Sequence, residues 1–215
     1  MMSLSSLGHI LLRLAVTLIF GTRSQAFRSS VIANPTLSIN NIPFSTRAHW
    51  MRVANAALAD IKSPCPASAF ATVIVNHSAP GLGELVCIGV NSAMTTDPDG
   101  PFKFTPSQAE AAFTELSLYT NAESCPMCAS AIRWSGFREY IYGTSIDSLI
   151  EQGWDQIRVP SISIFGQSFD LPTQARLLGG VLTNETDPLF FWRFNPDFPC
   201  PTGCARIAGT CEPST

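Results

Sequence analysis

Two cysteines one helical turn apart, Cys125 and Cys128, are the residues of this chain best placed to do chemistry. The run Cys-Pro-Met-Cys puts both sulfurs on one side of a helix start. Unpaired backbone N–H groups and the positive end of the helix dipole favour anions there, so thiolates and a lowered thiol pKa are expected. A thiolate pair in that position is either half of a zinc site or a redox dithiol. The elements that must hold it lie on both sides. Leu116, Leu118, Tyr119 and the β-branched Thr120 predict a short buried strand. Ser124 is expected to cap the helix, and Pro126 suits its first turn, where proline's missing N–H would have no partner anyway. Ala129, Ala131, Ile132 and Trp134 continue the helix until Gly136 stops it, and Tyr140, Ile141 and Tyr142 predict the next strand.

Residues 118–143 resemble the zinc-dependent nucleoside and nucleobase deaminases of the cytidine/deoxycytidylate type, closest to the guanine deaminase and tRNA-adenosine deaminase branch. The Cys-Pro-Met-Cys core set between two strands carries that resemblance, with Ser124 standing where the family usually has proline. The resemblance implies a cytidine deaminase-like α/β fold in three layers, a mixed five-stranded sheet flanked by helices. It further implies Zn²⁺ held by Cys125, Cys128 and a histidine, with a metal-bound hydroxide attacking the ring carbon that bears the amino group. A glutamate that is not a ligand would shuttle the proton. On the same basis Asn91 matches the asparagine that contacts substrate, and Glu123 with the Cys125 N–H would line the pocket. The small-molecule partner implied is an aminated base or nucleoside, with purines such as guanine, guanosine or adenosine favoured, and a homodimer is common among such proteins.

The motif that supplies the third ligand and the shuttle, His-x-Glu, is absent from the chain, whose histidines are His9, His49 and His77. No catalytic residue is therefore assigned. Relatives carry the motif on a helix that would fall between Asn91 and Leu116. Gln108-Ala109-Glu110 imitates it, but a helix there runs directly into the strand at Leu116, whereas a parallel crossover must first return past the whole strand. The interval reads as though a loop and crossover helix of roughly 15–25 residues were lost after Thr96. His77 sits at the far end of a hairpin, about 20 Å from the cysteines at 3.3 Å per strand residue. His9 belongs to a leader, and His49 lies on the wrong element. Zinc is the cofactor the family implies, but two thiolates do not complete its site. Two alternatives from other classes are a non-catalytic secreted module with a Cys125–Cys128 bridge and a Cys-x-x-Cys thiol oxidoreductase.

Composition bounds the partners. Only 13% of the 215 residues are charged, the net charge is −3, and the lysines are Lys62 and Lys103. Affinity for a polyphosphate rests on neutralising phosphates, so no nucleic-acid partner is expected. Arg13, the apolar run Leu14 to Phe20 and Ser24-Gln25-Ala26 read as a signal peptide over 1–26, too short for the about 20 residues that span a bilayer. Once it is removed, no membrane partner is expected. A mitochondrial presequence is the alternative, since no acidic residue precedes Asp60. Asn76 and Asn184 head glycosylation acceptor triplets. Cys65, Cys200, Cys204 and Cys211 suit disulfides, with three connectivities open.

The chain is expected to run as an extended lead-in over 27–45, a deaminase-like domain over 46–166, and an extension over 167–215 with a loop-like tail. Within the domain a helix is predicted from Thr46 to Ile61, with Trp50, Ala54, Ala57, Leu58 and Ile61 inward. Phe70–Asn76 and Leu85–Asn91 predict a hairpin with Cys87 buried in its second strand. Asp147–Trp154 predicts a helix and Ser161–Phe165 the last strand. Leu171–Thr186 reads as one helix, and Phe190, Phe191, Trp192 and Phe194 are expected to pack on the domain.

Overall fold

The computed structural model describes residues 38–61, 63–66, 68–90 and 111–214. Two short strands, β1 (Ser38–Ile39) and β2 (Ile42–Pro43), lead into helix α1 (Phe44–Ala57), which tightens into a 3₁₀ turn at Leu58–Asp60. The hairpin β3 (Ala71–Asn76) and β4 (Glu84–Val90) follows. Then come β5 (Leu116–Ala122), α2 (Pro126–Ser135), β6 (Glu139–Thr144), α3 (Ile146–Glu151) and α4 (Ser161–Gly166). The chain finishes with β7 (Arg176–Leu178), α5 (Thr183–Thr186), α6 (Pro188–Phe191) and the hairpin β8 (Cys204–Ile207) and β9 (Thr210–Pro213).

The main sheet has five strands in the order β4-β3-β5-β6-β7. β3 pairs antiparallel with both β4 and β5, whereas β5, β6 and β7 run parallel. All seven residues of β5 are buried, as a central strand covered on both faces requires. On one face α1 packs Trp50, Met51 and Ala54 against Val73, Val75, Tyr119 and Ile141. On the other, Ile132 of α2 and Phe165 of α4 cover Leu118 and Tyr140. The result is the three-layer α/β architecture with a mixed five-stranded sheet that the sequence leads one to expect. The hairpin before β5 also departs from the βαβ unit that a thioredoxin-type oxidoreductase would place there. Among the described residues no helix is long and apolar enough to cross a membrane.

Several expectations are corrected. Ser161–Phe165 forms a helix, not the last strand: Ser161 and Phe165, one turn apart, are buried, while Ile162 is exposed. The fifth strand is Arg176–Leu178, so the segment expected to be an extension completes the sheet, and Leu171–Thr186 is not one helix. The tail is a hairpin held by two disulfides, Cys65–Cys204 and Cys200–Cys211, one of the three connectivities. Helix α1 begins at Phe44, inside the expected lead-in. Cys87 is half-buried, because β4 is an edge strand and leaves one flank open. Phe190 and Trp192 are buried as predicted, and Phe194 is half exposed but stacks edge-on against Trp154 at 5.3 Å. The leader, Asn91, Gln108-Ala109-Glu110 and the crossover expected to have lost a helix lie outside the described residues.

Candidate functional site

β5 and β6 are parallel and leave the sheet side by side, so the residues after each strand meet at one edge. The Glu123 N–H donates to the Thr144 carbonyl at 2.8 Å, which carries the pairing one step beyond β5. The Glu123 side chain is buried, and its carboxylate accepts the Ile146 N–H at 2.8 Å on one oxygen and the Ser161 N–H at 2.6 Å on the other. These are the first residues of α3 and α4, so one carboxylate satisfies an orphan donor at two helix starts and sits at the positive end of both. Glu123, expected to line a substrate pocket, is committed to holding these helices.

The next residue is clamped as well. The Ser124 N–H donates to the Tyr140 hydroxyl at 2.6 Å, and that hydroxyl donates to Ser124 Oγ at 2.9 Å. Burial raises the Tyr140 phenol above its ordinary pKa, which keeps the donor proton in place. Ser161 Oγ donates to the Ser124 carbonyl at 3.3 Å. With its hydroxyl occupied by Tyr140, Ser124 does not cap the helix. The cap position falls instead to Cys125, whose extended backbone (φ −59°, ψ 162°) makes no side-chain cap bond. The Cys125 carbonyl accepts the Ala129 N–H at 2.8 Å, and Pro126 opens α2 as expected. Gly136 ends the helix at φ 78°, a left-handed conformation that glycine adopts freely.

Cys125 is half-buried and Cys128 exposed, and both are free thiols. Partial burial of the sulfur, together with the neighbouring Cys125 thiol, pushes the Cys128 thiol up to about 11. Burial of the sulfur thus outweighs the lowering expected at a helix N-terminus, and the neighbouring Cys125 sulfur adds to it by opposing a second negative charge. Cys125 opens on a cavity of about 410 Å³ walled by Asp155, Gln156 and Ile157. This wall comes from the segment between α3 and α4, and no pattern in the sequence marked it. A separate cavity of about 350 Å³ lies between α2 and α4, lined by Arg133, Trp134, Ile164 and Leu171 among others.

The donor set does not fit the zinc centre that the resemblance implies. Among the described residues no three His, Cys, Asp or Glu side chains come together as a metal site. His77 Nε2 is 2.8 Å from the Tyr119 hydroxyl, just past Asn76, which pairs with Leu116 at the start of β5. Cys125 follows the opposite end of that strand, about 20 Å away at 3.3 Å per residue. His49 stacks edge-on against Trp50 at 5.0 Å, and the Trp50 indole donates to the Leu82 carbonyl in the turn of the β3–β4 hairpin, again at the far end. The entry to β5 lies there too: Phe113 stacks on Phe137 at 4.7 Å, and its carbonyl accepts the Arg138 N–H.

No family model matches the chain. A stretch of 37 residues, 17% of this chain, is 51% identical to a probable cytosine deaminase of Schizosaccharomyces pombe, of which the match spans 23%. Among solved structures, guanine deaminase from Nitrosomonas europaea aligns with a TM-score of 0.44 at 18% identity, over 72% of this chain and 84% of its own. A tRNA:A34 deaminase aligns with a TM-score of 0.41 at 18% identity, over 66% and 99% of the two chains. The dCMP deaminase of cyanophage S-TIM5 gives 0.36 at 16% identity, over 62% and 97%.

Proposed function

We propose that this chain is a domain of the zinc-dependent nucleobase and nucleoside deaminase superfamily that, as it stands, does not perform the hydrolysis. The strand–Cys-Pro-Met-Cys–helix–strand unit, built on parallel β5 and β6, supports membership, as does the 37-residue identity to a cytosine deaminase. The single observation that carries the loss of activity is the donor set at Cys125 and Cys128. Zinc in such a centre generates the hydroxide nucleophile, which requires a third protein ligand that leaves one position open. Among the described residues the histidines, His49 and His77, stand at the other end of the sheet. The ancestral substrate class is an aminated base or nucleoside, purine favoured, and the scarcity of lysine supports a small molecule over a nucleic acid.

Ammonia release tests this reading directly. The chain should leave guanine, guanosine, adenosine and cytidine unchanged and bind well below one zinc per chain by elemental analysis. A loop and helix bearing His-x-Glu inserted between Thr96 and Asp97 should restore both zinc binding and ammonia release, and Cys125→Ala should then abolish the gain. Deamination at an enzyme-like rate by the uninserted chain would overturn the reading. So would stoichiometric, tightly held zinc.

Export is proposed alongside. The two disulfides support an oxidising compartment, and Asn184 is exposed on α5, whereas Asn76 is half-buried at the end of β3. Protein from its native host should begin near Phe27 and carry glycan at Asn184. An intact leader without glycan would refute export.

A further inference from the structure

We propose that Cys125 and Cys128 form a reversible third disulfide, a dithiol–disulfide couple that exchanges with low-molecular-weight disulfides. This rests on the reading that no third ligand completes a metal centre at the pair. Four observations carry it. The two cysteines stand one turn apart, Cys125 at the cap of α2 and Cys128 in its first turn. Cys128 is exposed, and Cys125 faces a cavity of about 410 Å³, of the size that admits a small molecule. The chain forms disulfides elsewhere. Finally, the backbone at the pair permits closure.

Residues three apart on a helix have Cβ atoms about 5–6 Å apart, while a disulfide needs about 3.5–4.5 Å. Both cysteines inside a helix would therefore have to distort it. Cys125, however, is the cap residue and has extended backbone angles. Its side chain can swing towards Cys128 while its carbonyl keeps the Ala129 N–H, so the first helical bond survives. Glu123 and Ser124 hold the preceding backbone through Ile146, Ser161 and Tyr140, which fixes the pair relative to the sheet in either redox state. Cys87, half-buried on edge strand β4, is the third free thiol and has no such partner among the described residues.

The exchange balances as follows. One thiol of the pair loses its proton and attacks a sulfur of the small disulfide, forming a mixed disulfide and releasing one small thiolate. The second thiol then loses its proton and displaces the other small thiolate. The two protons pass to the two released thiols, so the pair is oxidised by two electrons and the small disulfide is reduced by two.

The test uses the full chain equilibrated in buffers of graded reduced-to-oxidised glutathione ratio, quenched in acid, alkylated and read by peptide mass. In oxidising buffers the peptide holding Cys125 and Cys128 should carry no alkyl group and be lighter by two hydrogens. In reducing buffers it should carry two alkyl groups, while Cys65–Cys204 and Cys200–Cys211 stay closed. Cys128→Ser should leave Cys125 trapped as a mixed disulfide with one glutathione. Alkylation of both sulfurs at every ratio would overturn the proposal. A parallel sample given zinc alone before the oxidant separates the two ideas. Tight stoichiometric zinc that blocks closure overturns the inactive-domain reading as well, whereas free thiols without bound zinc overturn only the disulfide.

Discussion

Arg47 and Glu139 form a buried, two-pronged ion pair at the edge of the sheet away from the cysteines, with N–O distances of 3.2 and 3.1 Å. The side chains are 2% and 0% exposed. Ser117 Oγ donates to the carboxylate at 2.9 Å, and Asn40 Nδ2 donates to its other oxygen. Burial alone would raise the Glu139 carboxyl, but the Arg47 guanidinium and these donors outweigh it and hold the group below its ordinary range. A carboxyl depressed in the folded state stabilises fully above its unfolded pKa, about 4.3, and that stabilisation is lost as pH falls through the lower folded value. The thermal midpoint should therefore drop as pH is lowered below about 4.3. Glu139→Gln removes this share of the acid sensitivity and leaves a buried guanidinium unpaired, at a cost of about 3–5 kcal/mol at neutral pH. Urea unfolding at pH 7 and pH 3 measures both; a loss under 1 kcal/mol, or an unchanged acid slope, would refute the assignment. His77 has the opposite chemistry with the same direction. Burial lowers its pKa, so the neutral form is favoured when folded, and stability should fall as pH drops below about 6.5. His77→Gln should remove that part of the pH dependence.

Elements whose limits depend on local chemistry were legible, and elements imposed by distant partners were not. Helix α2 announced both ends through Pro126 and Gly136, and the β3–β4 hairpin announced itself through β-branched runs separated by glycines. Ser-Ile-Ser-Ile-Phe alternates like a strand but forms α4, because the Glu123 carboxylate, 38 positions earlier, takes the Ser161 N–H and Phe165 docks under α2. Arg176–Leu178 is a strand only because it meets β6, and three residues carry too little pattern to declare it. The candidate site divides the same way. Cys125 and Cys128 were visible as a spacing, while Tyr140, Ser161 and Asp155 come to the site through long-range pairing with no local signal. Gly136 gives the element-scale prediction. Its φ of 78° costs a side chain about 1–2 kcal/mol, and a Cβ there would lie 3.1 Å from Thr173 Oγ1. Gly136→Ala should destabilise the fold by at least about 1 kcal/mol in equilibrium unfolding. A neutral effect would mean that the helix end relaxes at no cost.

At the scale of the whole molecule, the hairpin β8–β9 is tied on by side chains that span long stretches of chain. Arg206 Nη2 donates to the carbonyls of Trp192, Asn195 and Phe198, at 3.2, 3.3 and 2.8 Å, which fastens the tail to the segment after α6. The two disulfides do different work. Cys65–Cys204 links the loop after α1 to β8 across 139 positions, whereas Cys200–Cys211 closes 11 within the tail. A cross-link stabilises by removing conformations from the unfolded chain, and the effect grows with the logarithm of the loop it closes. On that model the long bridge contributes about 5 kcal/mol and the short one about 3 kcal/mol. Replacing Cys65 and Cys204 together by alanine should thus lower the unfolding free energy by more than replacing Cys200 and Cys211 together, by about 2 kcal/mol. Both double variants keep Arg206 and its carbonyl partners, so the difference isolates the bridges. Guanidinium unfolding of the two proteins, with unchanged slopes, measures it. If the short-loop variant loses as much or more, the tail's bridge acts by shaping the native hairpin, and chain entropy is not what the cross-links supply.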